Sequence, residues 1–255
     1  IETLEKHFKE NKISDKKIVV HCWRGGMRSA GMAWLFDLYG FEVQLIVGGY
    51  KAFRNWTLQQ FEHPYSIKVL GGYTGSAKTE TLLQLGEKNE PILDLEGIAL
   101  HKGSAFGGIG QPTQPTQEMF ENKLAMELNK LKNRNDSYFW LEDESQRIGK
   151  LNIPHTLWHT IRKSSLHFLD IPFEARLQHI MEGYGSLDVE KMMEATERIQ
   201  KRLGPNETKI TLQHFREGNI EEAFRILLQY YDKTYLKAMH NRDNLEALLK
   251  NYRSE

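Results

Sequence analysis

The chain has 255 residues, 40% hydrophobic and 27% charged, the balance of a globular protein with one large domain or two ordinary ones. Lys plus Arg and Asp plus Glu each number 34, so bulk charge draws the protein to neither nucleic acid nor anionic lipid, and any such contact needs a local patch. There is one cysteine and no apolar run of roughly 18 residues, which excludes an internal disulfide and a transmembrane helix and fits a reducing, cytoplasmic setting.

The chain opens on Ile1 and a charged helical stretch at residues 2–11, without a secretory pattern. A short apolar run at 17–21 predicts a buried strand, residues 22–27 a loop, 29–39 a helix and 44–47 a second strand. A boundary falls near residues 62–64. Strand 66–70, loop 71–77 and helix 78–86 then repeat the same order, and further strands are expected at 91–94, 137–141 and 165–169. The glycine- and proline-rich stretch 102–117 is the longest loop. From Phe173 onward apolar residues recur at helical spacing, and Met181, Met192, Met193, Phe215, Phe224 and Leu227 among them read as core. The expected fold is therefore α/β with parallel sheets, in three parts: 1–64, 65–172 and a helical region 173–255 packed partly on the second.

The first chemical motif is His21-Cys22-Trp23-Arg24-Gly25-Gly26-Met27-Arg28-Ser29, with five residues between Cys22 and Arg28. A cysteine at a strand end, followed by a short loop and a helix start, lets the loop amides curl around one point. Such a cradle holds an oxyanion and favours thiolate over thiol. Gly25 and Gly26 permit backbone conformations closed to other residues, while Arg24 and Arg28 add positive charge. Cys22 is the candidate nucleophile. The spacing fits two chemistries: a Cys-dependent phosphatase, and a rhodanese in which the cysteine carries sulfur or selenium. A merely structural cysteine would not need the glycine pair and both arginines.

The second motif is Gly71-Gly72-Tyr73-Thr74-Gly75-Ser76-Ala77-Lys78-Thr79, after an apolar strand and before a helix, which is the context a Walker A loop requires. Gly72 is its first glycine and Thr74, Gly75 and Ser76 form the loop; Lys78 would meet terminal phosphates and Thr79 a magnesium ion. Ala77 occupies the position of the last glycine, tolerable where the backbone is helical. Asp94 with Glu96, or Glu142 with Asp143, could order the water shell of that ion, whereas Glu144 alone reads as a solvated turn. His155, His159 and His167 have no metal-site spacing, and no zinc site is expected.

The two loops, in this order and this close, resemble the tRNA 2-selenouridine synthases. The likeness extends to Gly48-Gly49-Tyr50-Lys51-Ala52, to Asp94-Leu95-Glu96 with residues 99–106, to Gln114-Pro115-Thr116-Gln117 and to residues 140–149. It is clear from about residue 17 to 180 and weak in the helical tail. The resemblance implies a partial rhodanese-like domain, lacking its N-terminal part, followed by a P-loop NTPase-like domain. It implies conversion of wobble 2-thiouridine in tRNA to 2-selenouridine through an S-geranyl intermediate, with geranyl diphosphate and selenophosphate as co-substrates and no tightly bound cofactor. By resemblance Cys22, Arg24, Gly25, Gly26, Met27 and Arg28 would transfer selenium, and the loop from Gly72 to Thr79 would hold the diphosphate. Asp94, Glu96, His101, Lys102, Ser104, Glu142, Asp143 and Arg147 would line the substrate site. The expected partners are tRNA, the two small molecules and the absent N-terminal segment, with no membrane.

Ala77, Lys102 and Gln146 depart from the family pattern, the last two standing where arginines are expected, and Lys is a point charge where Arg is a fork. A neutral protein must meet tRNA through a patch: Arg198, Lys201 and Arg202, or Arg162 and Lys163, with Trp158 or Tyr184 able to stack a base. Solvated helix faces and core packing are the plainer roles of these residues. The alternative functions are a Cys-dependent phosphatase or sulfurtransferase fused to a nucleotide-binding P-loop module, and a P-loop binding module with an inactive cysteine loop.

Overall fold

The computed structural model describes residues 1–134, 136–184 and 187–253. It divides into two compact units, Ile1–Gln60 and Phe61–Glu255.

In the first unit, α1 (Glu2–Glu10) precedes β1 (Lys17–Val20), α2 (Met27–Leu38), β2 (Glu42–Leu45) and α3 (Gly49–Gln60). β1 and β2 pair in parallel from Lys17↔Glu42 to Val20↔Leu45. This is a crossover unit of strand, helix and strand, but its sheet has two strands only. Phe41 is buried, with Phe36 and Phe8 against it edge-on. Large apolar side chains stay in solvent, with Met27 92%, Val47 89% and Trp34 65% exposed.

The second unit is built on β3 (Ile67–Gly72), followed by α4 (Lys78–Glu87), β4 (Ile92–Leu93), α5 (Leu95–Ala99), α6 (Gln117–Lys132) and β5 (Phe139–Glu142). A small antiparallel hairpin follows, β6 (Arg147–Ile148) and β7 (Leu151–Asn152), then α7 (His155–Arg162) and β8 (Ser165–Asp170). The helical region comprises α8 (Phe173–Tyr184), α9 (Val189–Arg198), α10 (Gln200–Leu203), α11 (Pro205–Arg216), α12 (Ile220–His240) and α13 (Leu245–Leu248). The chain then returns to the sheet as β9 (Leu249–Arg253).

The sheet has the order β4-β5-β3-β8-β9 and every pair is parallel. Val69 and Leu141 at its centre are fully buried, as a parallel sheet covered on both faces requires. The expected strands at 66–70, 137–141 and 165–169 are present with shifted ends, and β9 is an addition inside the stretch read as helical. Asp94 and Thr116 cap α5 and α6 by accepting from Gly97 N–H and Met119 N–H. Met192 is fully buried in a second core with Phe106, Leu177, Phe215, Phe224 and Leu227, as the helical spacing requires.

β3 is the central strand, and its register fixes the site. Leu70 lies level with Glu142, one strand over, two residues before Gly72. The C-terminal ends of β3, β4 and β5 therefore deliver the loop and the acidic residues to one edge of the sheet, where open α/β sheets bind ligands.

Candidate functional site

In the first unit the half-buried Cys22 follows β1, and its sulfur accepts hydrogen bonds from the Gly26 N–H and the Ser29 hydroxyl, both at 3.3 Å. The loop is held from behind: Tyr50 N–H donates to Cys22 O at 2.9 Å and Lys51 N–H to Trp23 O at 3.0 Å. A peptide's carbonyl and amide point in opposite directions. Turning the Trp23 carbonyl toward α3 therefore turns the Arg24 amide toward the sulfur. Gly25, at φ +67°, lies so close to Gly48 and Gly49 that a methyl group there would come within 2.7 Å of the Gly49 nitrogen. The thiol is held down to about 6, first by the Ser29 hydroxyl, then by the Gly26 amide, with smaller help from the Arg24 and Ser29 amides against a cost of burial. The charges of Arg24 and Arg28 are not among these causes, so hydrogen bonds hold the thiol down. Met27 is the first residue of α2 and points into solvent.

In the second unit the glycine loop joins β3 to α4. Gly72 at φ +152° and Gly75 at φ +82° take conformations that other residues rarely adopt. Ala77 is the N-cap of α4 at φ +55°, ψ +35°, so the helical backbone that would tolerate its methyl is left-handed, and the residue is strained. The Lys78 ammonium donates to Gly72 O at 3.0 Å and Tyr73 O at 3.3 Å, and the buried Ser76 hydroxyl also donates to Tyr73 O. The Thr79 hydroxyl is shared between Glu142 Oε2 at 3.2 Å and Glu96 Oε2 at 3.3 Å.

Glu96, Glu142 and Glu144 bring one oxygen each to within 4.8 Å of one another, the cluster that could hold a metal ion among the described residues. Glu144 is thus no solvated turn: Gly103 at φ +67° leaves it room, since a methyl there would lie 2.6 Å from Glu144 Oε2. Burial pushes Glu96 up to about 8 and Glu142 up to about 7. Glu142 adds to the first shift and Lys78 opposes both. Glu144 is raised well above the carboxylate range by burial and then by Glu96 and Glu142. Three crowded, partly desolvated carboxyls beside a threonine hydroxyl are hard oxygen donors suited to magnesium, which fits the ion expected at Thr79.

The remaining sequence candidates are placed as follows. Asp94, spent on its cap, lies close enough to raise Glu96 and Glu142. Asp143 accepts from the Tyr235 hydroxyl at 2.7 Å and from buried Arg242, and its charge adds to the rise of Glu144; Tyr235 in turn accepts from Gly72 N–H at 3.3 Å. The Lys102 ammonium lies 5.6 Å from the Tyr184 ring, and Ser104 bonds to the Tyr184 hydroxyl. His101 is held below the usual histidine range by burial and then Arg198. Arg147 is exposed on the hairpin and donates to Gly149 O. Of the proposed RNA-binding residues, Arg162 donates to Ala238 O at 2.7 Å and Arg198 to Ala105 O at 3.3 Å, so both also serve the fold. Tyr184 packs on Phe224 at the edge of the helical core. No helix among the described residues is long and apolar enough to cross a membrane.

A central parallel strand that runs into a glycine loop, a lysine, a threonine and strand-end carboxylates defines a P-loop protein of the α/β class. A sequence profile described as the tRNA 2-selenouridine synthase AAA domain matches residues 65–254. Proteins named tRNA 2-selenouridine synthase are similar along most of the chain. That of Sulfurovum sp. (strain NBC37-1) is 34% identical over 92% of this chain and 74% of its own length. Those of Nitrosomonas europaea and Pseudomonas syringae pv. syringae are 39% and 34% identical over 66% and 85% of this chain, and 44% and 66% of their own lengths. The chain belongs to the tRNA 2-selenouridine synthase family.

Proposed function

We propose that the chain is a tRNA-modifying transferase that exchanges the sulfur of wobble 2-thiouridine for selenium by way of an S-geranyl intermediate. The observation that carries most weight is the pair of glycine-bearing loops, each with one carbonyl held from behind (Trp23 O by Lys51 N–H, Thr74 O by Arg176), one armed with a low-pKa thiol and the other with a lysine. Both proposed co-substrates, geranyl diphosphate and selenophosphate, are oxyanions.

In the first step the thiouridine sulfur attacks the geranyl C1; a C–S bond forms, the C–O bond breaks and diphosphate leaves. The glycine loop binds that leaving group: Lys78 exchanges its two loop carbonyls for phosphate oxygens, and the amides at the start of α4 face the anion. Thr79, Glu96, Glu142 and Glu144 would hold magnesium, which supplies charge neutralisation for the diphosphate. In the second step selenium replaces the geranylated sulfur at C2; a C–Se bond forms, a C–S bond breaks and geranylthiol leaves. The Cys22 loop receives selenophosphate, whose selenium forms the new bond to C2; water then cleaves the P–Se bond, inorganic phosphate leaves and the selenium stays on the uridine. Cytoplasmic location follows from the substrate.

Separate variants test the division of labour. Cys22→Ser should abolish selenium incorporation and spare S-geranylation, while Lys78→Ala should lower geranylation. Loss of both activities with Cys22→Ser, or unchanged geranylation with Lys78→Ala, contradicts it. Phosphomonoester turnover that needs Cys22 and no RNA would favour the phosphatase alternative.

A further inference from the structure

Arg176, on the first turns of α8, is 3% exposed and lies outside every motif of the sequence. Its guanidinium grips the Asp232 carboxylate of α12 with two bonds, Nη1 to Oδ1 at 2.9 Å and Nη2 to Oδ2 at 2.8 Å. Nε donates to Ile171 O at 3.1 Å, and the other Nη1 proton goes to Thr74 O at 3.0 Å, within the glycine loop. The plane of the guanidinium also lies over the Tyr73 ring, 4.9 Å from its centre. The Arg176 carbonyl backs Gly75 so closely that a methyl group there would lie 2.7 Å away.

Thr74 C=O and Gly75 N–H belong to one rigid peptide and point in opposite directions. A carbonyl fixed outward on Arg176 therefore aims the Gly75 amide into the loop. The device matches the one at Cys22, where α3 holds the Trp23 carbonyl and turns the Arg24 amide inward. With a left-handed Gly75 in the peptide and the strained Ala77 two residues on, the local sequence does little to hold it. We infer that Arg176, locked by Asp232, is a positioning residue of the phosphate-binding loop, presenting the Gly75 amide to the bound diphosphate. The inference rests on the diphosphate-binding role proposed above.

The test is calorimetric titration of the full chain with magnesium pyrophosphate. Arg176→Lys keeps the charge and loses the fork; Asp232→Asn keeps the shape and loosens the grip, and is the gentler variant should the first not fold. Leu177→Ala, the buried neighbour on α8, should also lower the melting temperature while keeping the Arg176 bonds to Thr74 and Asp232. Removing a hydrogen bond that orients an amide toward a charged ligand predicts roughly tenfold weaker binding for Arg176→Lys and Asp232→Asn, and unchanged affinity for Leu177→Ala. Wild-type affinity in both Arg176→Lys and Asp232→Asn would overturn the inference, as would an equal loss in Leu177→Ala. The Lys78→Ala control separates the two claims: if wild type binds and Lys78→Ala does not, the loop binds diphosphate whatever Arg176 does. If wild type fails to bind, the loop's role falls and the inference with it.

Discussion

Removing the Ser29 hydroxyl tests how the cysteine loop makes its nucleophile. That hydroxyl is the largest single cause of the low Cys22 value, ahead of the Gly26 amide. At pH 7 a thiol titrating at about 6 is ~90% thiolate, whereas one at an ordinary ~8.5 is ~3%. All the loop's hydrogen bonds together are therefore worth ~30-fold in thiolate at pH 7, and Ser29→Ala should forfeit ~3- to 10-fold as the largest contributor. The assay is the pH dependence of Cys22 alkylation by iodoacetamide, simple to read because this is the only cysteine. The wild-type inflection is expected near 6, and that of Ser29→Ala higher. Arg24→Gln should move it less than Ser29→Ala, since hydrogen bonds rather than arginine charge hold the thiol down. The linked effect on stability follows in sign. The folded value lies below the unfolded one, so the contribution is full above the ordinary thiol range and is lost as pH falls through about 6. An unmoved inflection in Ser29→Ala, or a larger shift in Arg24→Gln, would refute the reasoning.

Two other substitutions probe the glycine loop. Ala77→Gly removes a left-handed strain of ~1–2 kcal/mol and adds ~0.5–1 kcal/mol of backbone entropy cost, so a net gain of ~0.5–1 kcal/mol is expected in urea denaturation; a loss would contradict the left-handed geometry. Glu142→Gln should weaken magnesium-dependent pyrophosphate binding by ~10- to 100-fold and, by removing one of three crowded carboxyls, raise the melting temperature in EDTA. A fall in that melting temperature would show that the three groups do not repel.

What could be read from the sequence was local. The apolar run, the glycines, Lys78 and Thr79 are contiguous, so strand, loop and helix follow from one stretch of chain, and Glu142 is marked by its strand end. Buried methionines such as Met192 follow from helical spacing. Glu144 escaped because its burial depends on the absent side chain of Gly103, 41 positions earlier by residue number. Arg176 and Asp232 meet 56 residues apart, and Tyr235 reaches Gly72 across 163, distances over which no periodicity speaks. The left-handed turn at Ala77 is imposed by the loop against the preference of its own residue. β9 is short and polar, and joins the sheet through backbone pairing with β8 rather than through an apolar pattern.

The most direct measurement is mass spectrometry of the nucleosides from 2-thiouridine-containing tRNA, incubated with the protein and supplied first with geranyl diphosphate and then with selenophosphate. The expected result is an S-geranyl nucleoside after the first addition and 2-selenouridine after the second. An unmodified nucleoside at both stages, with the protein folded and pyrophosphate bound, would contradict the two-step transfer.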